Sequence, residues 1–276
     1  MRIQWIYLYV LALLAGAVAV LLLTPIAQWC ARKFDIMDRP AGEKHKFHGQ
    51  ATPLLGGAAM LLGWLGVLAG ALDVWFFASD ASRSELLRDY LPGVIAVLPR
   101  LGFIVAGAVG AALLGLIDDL RGLKAHWKFF GQFLVALLAA GPGGIRISLF
   151  IAVPWVGFLL SIFWFMMLMN AINFFDNMDG LAVGTAAIAL SLFGIVAAFQ
   201  EQYFVASLSS LGAGCAFGFW FYNYTPASIF MGDSGSHFLG YLLALSSAGT
   251  TYFTPAISSS KLPILIPLCI LAIPLF

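Results

Sequence analysis

The sequence predicts an all-α, polytopic membrane bundle of about nine transmembrane helices with its N-terminus outside, and three observations carry that prediction. Hydrophobic residues make up 62% of the 276 and charged residues only 10%, with a mean hydropathy of +0.96, far from the mix of a soluble domain. The apolar residues gather into stretches of about 20, the length that crosses a roughly 30 Å hydrocarbon layer as a helix. Strands are not expected in the lipid, where an open sheet leaves its edges unsatisfied.

The first stretch, 5–28, is longer than the apolar segment of a signal peptide and lacks a small-residue cleavage site, so it reads as a retained span. Further spans are expected near 54–72, 93–117, 149–169, 181–199, 203–222 and 235–255. Two weaker ones complete the nine: 127–141, lengthened by snorkelling of Lys128, and 262–276. With no internal repeat, linker or low-complexity segment, residues 1–276 read as a single membrane domain.

Loop charge orients the bundle. One side holds Arg32, Lys33, Arg39, Lys44, Lys46, Arg121, Lys124 and Lys128, and the other Arg83, Arg88, Arg146 and Lys261, which predicts that the first side is cytoplasmic. The net charge of +1 argues against a nucleic-acid partner. Cys30, Cys215 and Cys269 are too widely spaced for a disulfide framework or a metal site.

Chemistry is concentrated on the predicted cytoplasmic side, where Asp118, Asp119, Asp176, Asp179 and Asp233 all abut apolar spans. Carboxylates at membrane borders are costly unless hydrated, paired or metal-bound. Neighbouring helical residues point about 100° apart, so Asp118 and Asp119 cannot serve the same atom. Two roles are implied: one carboxylate on a metal or its waters, the other organising Lys128 or accepting a proton from a lipid phosphate. Lys124 and Lys128, four apart, read as one helical face meeting phosphate charge, or as positive-inside anchors.

In MNAINFFDNMDGLAVG, Asn170, Asn173, Asp176 and Asp179 recur every three residues. Each step turns the side chain back by about 60° on a helix, so the set converges only if the helix ends near Gly180. Asn and Asp offer the hard oxygens that suit Mg²⁺ and the acceptors that suit a nucleoside. In SIFMGDSGSHFLG, Gly232 and Gly235 allow close backbone approach, and Asp233 falls where a helix N-terminus would favour phosphate or metal. The first loop carries Lys44, His45, Lys46 and His48 ahead of Pro53 and Gly56-Gly57, and reads as a phosphate-side lid. His126 and His237 carry no signal of their own.

Together these segments resemble the polyprenyl-phosphate N-acetylhexosamine-1-phosphate transferase family over nearly the whole chain. The matching features are Asp38, Pro40, Lys46, His48, Gly56 and Gly57 in the first loop, the Asp118-Asp119 pair, the N-x-x-N-x-x-D-x-x-D-G-L run and F-M-G-D-S-G-S. The resemblance implies transfer of a sugar 1-phosphate, most simply GlcNAc-1-phosphate, from a UDP-sugar to a polyprenyl phosphate, with release of UMP. It implies Mg²⁺, with Mn²⁺ as an alternative, held by Asp233 and Asn173. It further implies catalytic roles for Asp118, Asp119 and Asp176, and substrate contacts from Lys46, His48, Lys128, Asn170, Asp179 and Phe230. Among these, Lys128 would neutralise the diphosphate, Asp179 would bind the uridine side and Phe230 would stack on uracil. The expected location is the plasma membrane, with the site on the cytoplasmic face and a homodimer among the expected partners.

Asn177-Met178 stands where the family more often has Gly-Leu or Gly-Ile, which hints at a subgroup. The family also continues beyond a position equivalent to Phe276 into a histidine-bearing loop and a last helix, so a chain lacking them is expected to turn over weakly or not at all. An aromatic prenyltransferase would pair closely spaced aspartates without the glycine-rich segment. A transporter would place its ionisable residues near span centres.

Overall fold

The computed structural model describes residues 3–39, 51–77, 85–147, 153–251 and 270–271. Among these the chain forms eight helices: α1 (Ile3–Lys33), α2 (Gly56–Phe77), α3 (Glu85–Arg121), α4 (Ala125–Ala140), α5 (Pro154–Phe175), α6 (Leu181–Phe199), α7 (Tyr203–Asn223) and α8 (Gly232–Thr250). Six of them, α1, α2, α3, α5, α6 and α7, are long and apolar enough to cross a membrane. Of the nine expected spans, these six meet that measure among the described residues, and three do not for separate reasons.

Helix α4 has 16 residues, about 24 Å at 1.5 Å per residue, and is shorter than the hydrocarbon layer. Helix α8 carries Asp233, Ser234, Ser236, His237, Ser246 and Ser247, which lowers its hydropathy. The expected 262–276 span lies outside the described residues except for 270–271. Two boundaries also move. Helix α3 extends beyond 93–117 at both ends, and α5 is shifted relative to 149–169, so it carries Asn170 and Asn173 within its last turns.

The polar α8 is the centre of the bundle. It packs against α2, α3, α5, α6 and α7, and every residue from Ser234 to Thr250 is buried. Protein, not lipid, therefore satisfies its hydroxyls: Ser209 Oγ donates to Ser246 Oγ at 2.8 Å, and Trp164 Nε1 to Ser247 Oγ at 2.8 Å. Trp64, Phe165, Phe193 and Phe219, with Phe238 and Tyr241 of α8 itself, are fully buried in the surrounding core. Helix α1 lies against α7 and α2 and turns Leu11, Leu14, Val18, Leu22 and Ile26 outward.

The only strands among the described residues are β1 (Met37–Asp38) and β2 (Thr52–Pro53), an antiparallel pair pairing Met37 with Pro53 and Asp38 with Thr52. They lie outside the apolar helices, in keeping with the exclusion of strands from lipid. Phe230 N donates to Pro53 O at 2.9 Å, while Gly56 N and Gly57 N donate to Phe230 O and Met231 O, each at 3.0 Å. The flanks of the first loop are thus fastened to the segment that leads into α8.

Candidate active site

Four helices deliver their polar residues to one place. The centre is Lys128, in the first turn of α4, whose Nζ lies 2.7 Å from Asp118 Oδ2 and 2.5 Å from Asp233 Oδ2. It also approaches Asn173 Oδ1 at 3.5 Å. The side chain is 18% exposed, so the charges are partly withdrawn from water and their attraction is stronger than on an open surface.

Asp118 positions that lysine and shapes the turn that carries it. Its Oδ1 accepts the Leu123 amide at 2.6 Å, and its carbonyl accepts Gly122 N at 2.8 Å, closing the connection from α3 to α4. Lys124, expected on one helical face with Lys128, is instead the N-cap of α4 in an extended backbone conformation and is exposed. Lys124 therefore lies outside the ion-paired cluster that holds Lys128.

Asp119 points elsewhere, as its offset from Asp118 requires. Its Oδ1 accepts Asp233 N at 2.8 Å and its Oδ2 accepts Ser234 N at 3.1 Å. The helix N-terminus expected to receive phosphate is therefore occupied by a carboxylate of the protein itself, which satisfies donors that α8 cannot pair internally. Close approach makes this possible. Gly232 has φ +65° and sits where a Cβ would lie 2.6 Å from Asp119 Oδ2, while a Cβ on Gly115 would lie 2.1 Å from Asp233 O.

Asp233 is held on every side. Besides Lys128, its Oδ1 accepts Asn173 Nδ2 at 2.6 Å. Its carbonyl accepts Ser236 Oγ at 3.2 Å and lies 2.7 Å from His237 Nδ1. Asn173 also donates to Ser236 Oγ at 3.0 Å.

The other members of the asparagine and aspartate series diverge. Helix α5 ends at Phe175, and Asp176 is its C-cap. Among the described residues no hydrogen bond reaches the half-buried Asp176 carboxylate. Burial, and then the negative charges of Asp233, Asp119 and Asp179, push its pKa up to about 7. Asn170 turns towards α4, exchanging hydrogen bonds with Gln132 at 2.7 and 3.2 Å. Asp179 is exposed, and its Oδ2 accepts Ala227 N at 2.9 Å. Phe230 is half-buried, its backbone fixed by Pro53 and Gly56. Lys46 and His48 lie outside the described residues.

Several residues organise the site without a clear local signal in the sequence. Gln132 interrupts an apolar run, a signal that a buried polar partner exists, yet nothing local names that partner. His237 and Ser236 join the network around Asp233. Asn223, only 3% exposed, ties two loops together: its Oδ1 accepts Gly180 N at 3.1 Å and its Nδ2 donates to Ile229 O at 3.0 Å.

Among the described residues no three His, Cys, Asp or Glu side chains converge as a metal-holding group. The donor chemistry nevertheless fits a hard divalent cation. Asp118, Asp233 and Asn173 bring carboxylate and amide oxygens to a single locus, and a cationic Lys128 ammonium already lies between two of them.

Comparison with known proteins identifies the family of the chain. The model of the family described as glycosyl transferase family 4 matches residues 101–250. A probable undecaprenyl-phosphate N-acetylglucosaminyl 1-phosphate transferase of Bacillus subtilis (strain 168) is 32% identical over 276 residues, covering 97% of this chain and 69% of that protein. The phospho-N-acetylmuramoyl-pentapeptide-transferase of Halalkalibacterium halodurans is 32% identical, covering 85% of this chain and 72% of its own. The decaprenyl-phosphate N-acetylglucosaminephosphotransferase of Mycobacterium tuberculosis (strain CDC 1551 / Oshkosh) is 36% identical, covering 72% of this chain and 50% of its own length. The chain thus spans between half and about three quarters of these relatives.

Proposed function

Because the chain belongs to glycosyl transferase family 4, we propose that it transfers N-acetylglucosamine 1-phosphate from UDP-N-acetylglucosamine to a polyprenyl phosphate in the plasma membrane, releasing UMP, as a step in cell-envelope synthesis. The observation that carries this reading is the convergence of Asp118, Asn173 and Asp233 around Lys128 where four helices meet, with Asp119 capping the turn that bears Asp233. The B. subtilis relative, aligned along 97% of the chain, supports N-acetylglucosamine as the sugar.

In this reaction an oxygen of the lipid phosphate bonds to the sugar-side phosphorus of the donor. The bond from that phosphorus to the bridging oxygen breaks, and UMP leaves with the electron pair. The sugar–phosphate bond survives. What the protein contributes is position and charge. Lys128, anchored by Asp118 and Asp233, presents positive charge to the diphosphate. Asp119 fixes the first turn of α8 and with it the direction of the Asp233 carboxylate. With Asp118 and Asp119 both committed, Asp176 is the carboxylate suited to take a proton from the lipid phosphate monoanion, whose second pKa is about 6.

Mg²⁺, or Mn²⁺ in its place, would be held by Asp233 and by Asn173 once its amide reverses to present Oδ1, and would supply further neutralisation of phosphate charge. Asp179 and Phe230 serve the nucleotide end, and Lys46 and His48 the phosphate side of the first loop. The excess of Arg and Lys beside this site supports its placement on the cytoplasmic face, with the N-terminus outside.

The test uses protein in lipid nanodiscs with Mg²⁺, undecaprenyl phosphate and either UDP-N-acetylglucosamine or UDP-N-acetylmuramoyl-pentapeptide, with Asp233→Ala as control. UMP and a lipid-linked sugar phosphate, absent from the control, are expected with the first donor. Product from the second donor alone replaces the sugar, and product from neither sinks the proposal.

A further inference from the structure

Beneath the carboxylates lies a second polar group that the chemistry above does not use. Gln132 and His237 are both 0% exposed, in the interior of a bundle whose outside is lipid. Polar side chains in such a place are costly unless every donor and acceptor is paired. Here the pairing is complete. Gln132 Nε2 donates to Asn170 Oδ1 at 3.2 Å and faces His237 Nε2 at 2.9 Å, while Asn170 Nδ2 donates to Gln132 Oε1 at 2.7 Å and to Met166 O at 2.8 Å.

That arrangement dictates the imidazole. The Gln132 amide nitrogen has only hydrogens to offer, so His237 Nε2 must accept, and the ring proton sits on Nδ1. From there it donates to the Asp233 carbonyl, 2.7 Å away. The same carbonyl accepts Ser236 Oγ, which in turn accepts Asn173 Nδ2 at 3.0 Å. The chain therefore begins at α4 and α5 and ends on Asp233 and Asn173.

We infer that Gln132 and His237 are positioning residues of the transfer site: through Asn170 and Ser236 they lock the α8 turn bearing Asp233 against α4 and α5. The inference rests on the transferase reading above. Helix association alone would not need this apparatus, since a single hydroxyl pair such as Ser209 with Ser246 joins α7 to α8 elsewhere in the same core. The difference is where the contacts end. The hydroxyl pair stays within the core, whereas the Gln132 network terminates on Asp233 and Asn173, the two residues assigned to the cation.

The experiment compares wild type with Gln132→Leu, His237→Phe and His237→Asn in nanodiscs, the last retaining a short donor towards the Asp233 carbonyl. Four quantities are read: kcat and KM for UDP-N-acetylglucosamine, Mn²⁺ affinity by electron paramagnetic resonance, and the melting midpoint. Gln132→Leu and His237→Phe are expected to lower kcat by about 10- to 100-fold and to weaken Mn²⁺ binding to a similar degree, with KM changed by less than about threefold. His237→Asn is expected to regain most of both. Unchanged kcat and Mn²⁺ affinity in the two apolar variants, or losses in His237→Asn as deep as in His237→Phe, overturn the inference while leaving the transferase reading intact. A wild type that makes no product but binds Mn²⁺, more weakly in His237→Phe and again tightly in His237→Asn, upholds the positioning role and removes the reaction. A wild type that neither reacts nor binds Mn²⁺ removes both.

Discussion

The Asp119 carboxylate accepts the Asp233 amide hydrogen at 2.8 Å, so a side chain at the end of α3 caps the first turn of α8 across 114 residues of sequence. Asp119→Ala leaves the Asp233 and Ser234 amides without that acceptor, a cost of about 1–3 kcal/mol for buried donors. The expected outcome is a lower melting midpoint together with loss of UMP release, with Asp119→Asn retaining more of both because an amide oxygen remains. Gly232→Ala should resemble Asp119→Ala, since its Cβ meets the same carboxylate.

Removal of the lysine charge is expected to affect chemistry more than folding. Lys128→Met leaves Asp118 and Asp233 facing each other without the ammonium that now joins them. Turnover should fall by at least about 100-fold, the scale for losing a transition-state charge contact. Lys128→Arg should not restore it, because a planar guanidinium does not fit a compact gap with contacts of 2.5 and 2.7 Å. Steady-state UMP release for the two variants is the check.

Asn223 joins the loop after α5 to the loop before α8 through Gly180 and Ile229. Asn223→Leu should therefore loosen both loops together, at a cost of about 1–3 kcal/mol. Hydrogen exchange should accelerate in 176–181 and in 225–231 while the centres of α6 and α7 stay protected. Faster exchange in only one loop would show that they are not coupled through this side chain.

Chelation should stop the reaction. EDTA is expected to abolish UMP release, and Mg²⁺ or Mn²⁺ to restore it in wild type but not in Asp233→Asn, measured in the same nanodisc assay. Full activity after exhaustive chelation would remove the divalent cation from the proposal.

Metal-free protein should also show a pH signature of Asp176. Its folded pKa, about 7, lies above the ordinary carboxylate value of 3.8, so protonation favours the folded state. The stabilisation is full below about pH 4, shrinks as the pH rises and is lost through about 7. Wild type should therefore melt lower at pH 8 than at pH 5, and Asp176→Asn should flatten that difference, as read from melting midpoints across the range.

Much of this was legible in the chain. Hydropathy located the membrane helices, because burial in lipid is decided by composition over about 20 residues. The 100° offset between Asp118 and Asp119 by itself separates the two carboxylates. Of the two readings open to Lys124, its exposed place at the N-cap of α4 fits the positive-inside anchor, because α4 begins one residue later. Asn170 was grouped with Asn173 by its interval of three, but its partner Gln132 lies 38 positions away on another helix.

The sequence by itself determined that this protein is a helical membrane bundle with its acids at the helix ends, since both follow from local composition and period. The tertiary structure alone decided which acid does what. Lys128 meets Asn173 across 45 residues, Gln132 meets His237 across 105, and Asp119 meets Asp233 across 114. No local pattern encodes such pairs. The latter two exist because the polar helix α8 is buried among five helices and satisfies its hydrogen bonds there.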